Sequence, residues 1–131
     1  MSRYVDSTEQ LVTEIVVKDI KRSIDFYRRL GFDLLRDGGD FAELTWEDHR
    51  LFLAELSAFR DAHGARLPAT PPLPLANVRV MVSDVDKCWK LVNEIGAQIV
   101  IPIGDRYYGL RDFTIADLDG FGVRFASILP T

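Results

Sequence analysis

The sequence predicts a mixed α+β protein of two tandem βαβββ modules. Three observations predict this fold. The segment from Val17 to Gly31 recurs at Val82 to Gly96, with a constant offset and no gap, as in an internal duplication. Each copy joins a β-branched stretch to a segment whose apolar residues have helical spacing. Short alternating segments separated by glycine-containing turns follow each copy and are typical of strands.

The first two elements of each copy are a strand and a helix. Residues 11–17 and 77–82 alternate in polarity, as strands with two unlike faces do. Apolar residues recur at three- and four-residue intervals over 20–30 and 85–95, which predicts amphipathic helices.

The helix boundaries carry matching signals in both copies. Asp19 and Asp84 stand where an N-cap oxygen accepts hydrogen bonds from the first turn. Gly31 and Gly96 end the helices, since glycine tolerates the left-handed conformation that a helix terminus requires.

Three further strands complete each module. They are expected at 32–36, 41–46 and 50–56 in the first module and at 98–101, 111–116 and 122–127 in the second. The chain is therefore one domain over 1–131, with modules at about 10–57 and 76–128. Residues 58–75 contain four prolines, which remove backbone donors and favour extended geometry. This segment is predicted to be a linker.

Composition excludes several classes of function. The 131 residues include 16 basic and 20 acidic side chains, a net charge of −4 without a basic run, so no nucleic-acid partner is expected. Cys88 is the single cysteine, which excludes an internal disulfide framework and a four-sulfur zinc site. A polar start and short apolar runs predict a soluble, cytoplasmic protein with no membrane partner.

The first module carries a motif with a family resemblance. The stretch from Asp19 to Tyr27 (DIKRSIDFY), followed by Leu30-Gly31-Phe32, resembles the vicinal oxygen chelate superfamily. That superfamily includes glyoxalase I, extradiol dioxygenases, certain epimerases and bleomycin-resistance proteins. The resemblance implies that the paired modules form a half-open, barrel-like sheet around a central cavity, commonly within a homodimer.

The resemblance also implies where the family's enzymes hold a divalent metal. Four strand positions supply its ligands, and here they are Val12, Phe52, Asn77 and Arg124. Valine and phenylalanine offer no lone pair, asparagine is a weak ligand and arginine brings a positive charge. His49 and His63 fall in turn and linker segments, at no recognised ligand spacing. The sequence therefore predicts no metal and no cofactor.

The second module is similar to the bleomycin-resistance branch, which binds a drug without converting it. The similarity rests on Tyr108 to Phe113 (YGLRDF) and Asp117 to Gly120 (DLDG). Tyrosine, aspartate and leucine replace the branch's usual tryptophan, glutamate and proline. A structural alternative is that Arg111 and Asp112 form a salt bridge bracing a loop.

Strand alternation predicts which side chains line the cavity. If alternate residues of the first strand of each module face the helices, the opposite set faces the cavity. Alternation gives as candidate ligand-binding residues Glu14, Phe52, Asn77, Arg79, Met81 and Arg124, and also Trp46 or its neighbours, depending on the register of the third strand. The resemblance to the bleomycin-resistance branch adds Tyr108 and Arg111. Glu14 and Arg79 are equivalent in the repeat, so their opposite charges are expected to meet as an ion pair or to orient a polar ligand.

These features predict that the protein binds and sequesters a small hydrophobic or aromatic molecule without a metal, in the manner of an antibiotic-resistance protein. The acidic balance favours a cationic ligand. Two enzymatic alternatives stay open. One is a lyase, isomerase or dioxygenase with a displaced metal site using Glu14, Glu55 or Asn77. The other is a metal-free enzyme with Glu14 as general base and Arg79 or Arg124 as oxyanion partner.

Overall fold

Each half of the chain forms a βαβββ module. The computed structural model describes residues 11–58 and 76–131. These residues fall into two units, one within Met1–Ala69 and the other within Thr70–Thr131. Most of the predicted linker, including His63, lies outside the described residues.

The first module places a helix against a four-stranded sheet. Its elements are β1 (Thr13–Val17), α1 (Ile20–Leu30), β2 (Asp33–Asp37), β3 (Phe41–Trp46) and β4 (His49–Glu55). The strand order is β1-β4-β3-β2, with β1 parallel to β4 and the other pairs antiparallel. The helix packs on one face of β3 and β4.

The second module repeats this topology. Its elements are β5 (Asn77–Met81), α2 (Val85–Glu94), β6 (Gln98–Asp105), β7 (Leu110–Ala116) and β8 (Gly122–Ile128). The order β5-β8-β7-β6 again has a parallel pair followed by antiparallel pairs. The α+β fold and its duplication are confirmed, and neither described sheet closes into a barrel. No helix among the described residues is long and apolar enough to span a membrane.

The predicted helix boundaries are confirmed by the backbone. The carboxylate of Asp19 accepts a hydrogen bond from the backbone N–H of Arg22, and Asp84 does the same from Lys87, both at 3.2 Å. Gly31 has a φ of 115° and donates to the carbonyl groups of the last turn of α1. These local signals position the same strand–helix pair in both modules.

Strand β6 is longer than predicted. It continues past Ile101 to Asp105, and its pairing with β7 shifts register on both sides of Ile101. Pro102 lies within the second shift. Proline lacks a backbone donor, but an edge strand with irregular pairing tolerates it.

Alternation divides each sheet into two faces. The face toward the helix carries the apolar core, including Leu44 and Leu53 in the first module and Phe113 and Phe125 in the second, all at most 1% exposed. We call the opposite face the distal face. It carries Glu14, Val16, Phe41, Glu43, Arg50, Phe52 and Ala54 in the first module and Asn77, Arg79, Met81, Asp112, Thr114, Arg124 and Ala126 in the second. Because Ile15, Val17 and Val80 are buried toward the helices, the predicted orientation of β1 and β5 is confirmed.

Candidate ligand-binding site

The structure places six predicted site residues on the distal faces. Glu14 lies beside Phe52 on neighbouring strands of the first module. In the second module, Arg79 is the register partner of Arg124. Asn77 and Met81 flank Arg79 on the same face of β5, two residues before and two after it.

The loop between β6 and β7 brings Tyr108 to this face of the second module. Its hydroxyl donates a hydrogen bond to the Asp112 carboxylate at 2.6 Å. Arg124 Nη2 donates to the same hydroxyl at 2.9 Å, and its guanidinium carbon lies 5.4 Å from the centre of the Tyr108 ring. Tyr108 thereby contacts Arg124, the predicted site residue of β8.

Asp112 is the centre of this cluster. Asp112 is 3% exposed, and a carboxylate so deeply buried requires charged or hydrogen-bonding partners. Arg106 Nε donates to one carboxylate oxygen at 2.7 Å, while Arg124 donates to the other through Nε at 3.0 Å and also through Nη2. The carboxylate thus fixes the positions of two guanidinium groups and one hydroxyl.

The protonation states in the cluster follow from these contacts. Burial raises the pKa of Asp112, but hydrogen bonds from Tyr108, Arg106 and Arg124 outweigh burial and hold the pKa below its ordinary value. The hydrogen bond to Asp112 raises the pKa of the Tyr108 hydroxyl, since ionisation would place two negative groups together. At neutral pH the cluster therefore has two positive charges, one negative charge and a neutral phenol.

Arg106 was missed by the sequence analysis. It follows β6, and its Nη2 also donates to the carbonyl groups of Pro102 at 2.6 Å and Asp112 at 3.1 Å. These bonds depend on how the loop turns after the irregular end of β6, which no local sequence pattern specifies. The available signal was Asp112 in the mostly apolar strand β7, which predicts a paired carboxylate but not its partner.

Arg111, a candidate ligand-binding residue, does not lie on the distal face. Arg111 lies on the helix side of β7, where it binds Asp86 of α2 and Asp105, both at 2.9 Å. The alternative in which Arg111 and Asp112 pair with each other is wrong, because consecutive residues of a strand point to opposite faces. Arg111 therefore joins β7 to α2 rather than facing the candidate site.

Trp46 also lies on the helix side of its sheet. Its ring centre is 5.1 Å from that of Phe32, and a Cβ at Gly31 would lie 3.2 Å from the indole. Because β3 pairs Trp46 with His49, the one-residue alternation puts Thr45 rather than Trp46 on the distal face. Trp46 contributes to the packing below α1.

The distal face of the first module has its own carboxylate cluster, which the sequence analysis missed. Glu43 is 8% exposed and binds Arg36 at 2.8 Å and Arg50 at 3.2 Å. Beside it, the rings of Phe41 and Phe52 meet edge to face with centres 5.2 Å apart. The predicted residue Phe52 thus belongs to an aromatic pair next to a neutralised carboxylate.

The four positions implied as metal ligands do not fit a divalent cation. Val12 and Phe52 present no donor atom, and the Arg124 guanidinium is held by Asp112. Asn77 alone offers an oxygen, and an amide oxygen without carboxylate or imidazole partners is a poor site. Within residues 11–58 and 76–131, no group of three His, Cys, Asp or Glu side chains is placed to hold a metal.

A displaced metal site in the first module is not assembled either. Glu14 lies on the distal face beside Phe52. Glu55 follows Leu53 on the helix side of β4, as the partner of Val17, and accepts a hydrogen bond from Ser57. The two carboxylates therefore point to opposite faces of one sheet and cannot bind the same ion.

The comparisons with known proteins agree with this architecture. The sequence model of the glyoxalase/bleomycin resistance protein/dioxygenase superfamily matches residues 9–125. A search of curated proteins gives no match.

Similar solved structures come from several bacteria. The hypothetical protein SA1046 from S. aureus is 22% identical over 95% of this chain and 94% of its own, with a TM-score of 0.77. TioX from Micromonospora sp. ML1 is 26% identical over 91% and 98%, with a TM-score of 0.73. A glyoxalase/bleomycin resistance protein/dioxygenase from Nocardioides is 20% identical over 96% and 87%, with a TM-score of 0.71. The family's sequence model matches nearly the whole chain, and the chain has a duplicated βαβββ topology. The chain therefore belongs to the glyoxalase/bleomycin resistance protein/dioxygenase superfamily.

Proposed function

We propose that this protein binds and sequesters a small aromatic molecule without a metal ion, as the bleomycin-resistance branch does. One observation carries the proposal. Arg124, at a position where the family's enzymes are expected to place a metal-binding carboxylate, is instead tied to Asp112 and Tyr108. This replacement substitutes a rigid polar cluster for a metal ligand.

The side chains around that cluster suit an aromatic ligand. Ligand sites combine apolar and aromatic walls with a few fixed polar groups. On the second module, Tyr108 and Met81 are 48% and 40% exposed, so a ring can stack on the phenol and contact the thioether. On the first module, the edge-to-face pair of Phe41 and Phe52 offers a similar aromatic surface.

A cytoplasmic homodimer is part of this proposal. The resemblance to the bleomycin-resistance branch implies the dimer, and a sequence with a single cysteine fits a reducing compartment. Sequestration then requires only stoichiometric binding, with no chemical change in the ligand.

The enzymatic alternatives have less support from the side chains. As a general base, Glu14 would need a partner that orients it, but it is exposed and makes no hydrogen bond or ion pair among the described residues. A displaced metal site would use Glu14, Glu55 or Asn77, but Glu14 and Glu55 lie on opposite faces of one sheet and Asn77 offers only an amide oxygen. Both alternatives demand conversion of the ligand, which the following test detects.

Chelator-treated protein should bind aromatic, drug-like compounds saturably. The experiment is an NMR titration of labelled protein with a panel of such compounds, followed by recovery of each compound. We expect shifts of the Met81 methyl and the Arg124 Nε–H signals, and chemically unchanged compounds. Tryptophan quenching is a weaker readout, because Trp46 packs on Phe32 and Trp89 on Phe113, both on helix sides.

The Arg111 Nε–H signal is the internal control, since Arg111 lies on the opposite face of the second sheet. A panel that moves neither the Met81 nor the Arg124 signal, or a compound recovered in altered form, would contradict the proposed function.

A further inference from the structure

The distal face of the second module carries more positive than negative charge. Among the described side chains of this face and of the loop that reaches it, Arg79, Arg106 and Arg124 stand against the single carboxylate of Asp112. The protein as a whole has a net charge of −4. Salt screens charges over roughly 8 Å at physiological ionic strength, so the local excess governs what binds here.

Asp112 neutralises only part of this charge and holds the guanidinium groups of Arg106 and Arg124 in place. Arg124 commits Nε and Nη2 to Asp112 and Tyr108. Within the described part of the chain its Nη1 makes no hydrogen bond, and the Arg124 side chain is 22% exposed. The Nη1 edge of a pre-positioned guanidinium is therefore available to an acceptor, with little conformational entropy to lose.

Arg79 lies beside Arg124 on the second sheet. It is the register partner of Arg124 on the neighbouring parallel strand and is exposed. No described carboxylate lies within salt-bridge distance of it. Like charges directly opposite each other on adjacent strands are unfavourable, and an anion bound between the two guanidinium groups would remove that repulsion.

Two less polar side chains, Met81 and Tyr108, flank the pair of Arg79 and Arg124. Met81 follows Arg79 on the same face of β5, and the Tyr108 ring lies against the Arg124 guanidinium. A planar ring held by these two side chains would carry a substituent toward Arg79 and Arg124. A carboxylate suits that place best, since its two oxygens match guanidinium donors.

We propose that the ligand of this face is an aromatic acid, whose carboxylate is bound between Arg79 and Arg124 while its ring contacts Tyr108 and Met81. The inference rests on the proposed function and narrows its ligand class. It reverses the expectation from overall composition that a cationic ligand is preferred.

Three compounds with the same ring test the role of charge. They are 2-naphthoate, 2-naphthamide and 2-naphthylmethylammonium, titrated against chelator-treated protein with the Met81 methyl signal as readout. We expect naphthoate to bind about tenfold more tightly than the amide and the ammonium compound to bind most weakly. The advantage of naphthoate should shrink as salt is raised.

Arg79→Gln is the informative variant, because Arg79 is exposed and the Asp112 cluster does not depend on it. It should weaken naphthoate binding about fivefold to tenfold and change amide binding less than twofold. Arg111→Gln is the matched control, since it removes the same charge from the helix side, and it should leave naphthoate binding unchanged.

The outcomes separate the two claims. Equal affinity for all three compounds, or tightest binding of the ammonium compound, would overturn the aromatic-acid proposal and leave aromatic binding intact. Naphthoate binding that Arg79→Gln and Arg111→Gln weaken equally would overturn the assigned position. Failure of all three to move the Met81 signal would overturn both proposals.

Discussion

The Asp112→Ala variant is expected to lose about 2–4 kcal/mol of its free energy of unfolding. Removing one partner of a buried ion pair costs about 3–5 kcal/mol, and the partial exposure of both arginines screens part of that cost. Without the carboxylate, Arg106 and Arg124 lose their shared counter-charge and Tyr108 loses its acceptor. Chemical denaturation monitored by circular dichroism measures the change.

Asp105→Ala is the matched control, since Asp105 is an exposed partner of Arg111 on the opposite face. It should have little effect on stability. An Asp112→Ala variant as stable as Asp105→Ala would show that the buried cluster contributes nothing to folding.

The pH dependence of stability has a definite sign at Asp112. Its pKa in the folded protein lies below the ordinary value of 3.8, so its stabilising effect is fully present above about pH 4. That effect is lost as the pH falls from there through the folded-state pKa. Asp112→Asn should therefore lose less stability than the unmodified protein over this acidic interval.

Phe113→Ala is expected to cost about 3–5 kcal/mol of the free energy of unfolding, the usual range for a buried phenylalanine. Phe113 is fully buried, with its ring centre 5.1 Å from that of Trp89 and 5.6 Å from that of Phe125. The cavity left on the helix side should also shift Trp89 emission. Denaturation and fluorescence spectra measure both effects.

Tyr107→Ala removes a ring of similar size that is 100% exposed, and it should change stability by less than about 0.5 kcal/mol. If Phe113→Ala lowered the free energy of unfolding by less than about 1 kcal/mol, Phe113 could not be a central residue of the second module's core.

Local signals explain why the fold could be predicted from the sequence. Asp19 and Asp84 form N-caps through atoms three residues away, so neighbouring sequence is sufficient to find them. Alternation likewise placed Glu14 and Arg79 on the correct faces, since a strand residue's side is set by its parity. The length of β6 was not predictable, because its register shifts depend on pairing with β7.

The candidate site depends more strongly on pairing. Trp46 was assigned to the wrong face because the register of β3 against β4, not the composition of β3, decides which residues face outward. Asp112 was identified as charged and paired, but its partner Arg106 is set by the course of a loop. The cluster of Glu43 gave no signal, since its arginine partners lie on separate strands.

Metal-independent binding is the central claim, and calorimetric titration of chelator-treated protein with nickel, zinc, manganese and iron(II) tests it most directly. We expect no stoichiometric binding, because Val12, Phe52, Asn77 and Arg124 occupy the positions that the family's enzymes are expected to use for metal ligands. Naphthoate affinity should be the same with and without added metal. One tight equivalent of metal per chain would contradict the claim and make a superfamily enzyme the better account.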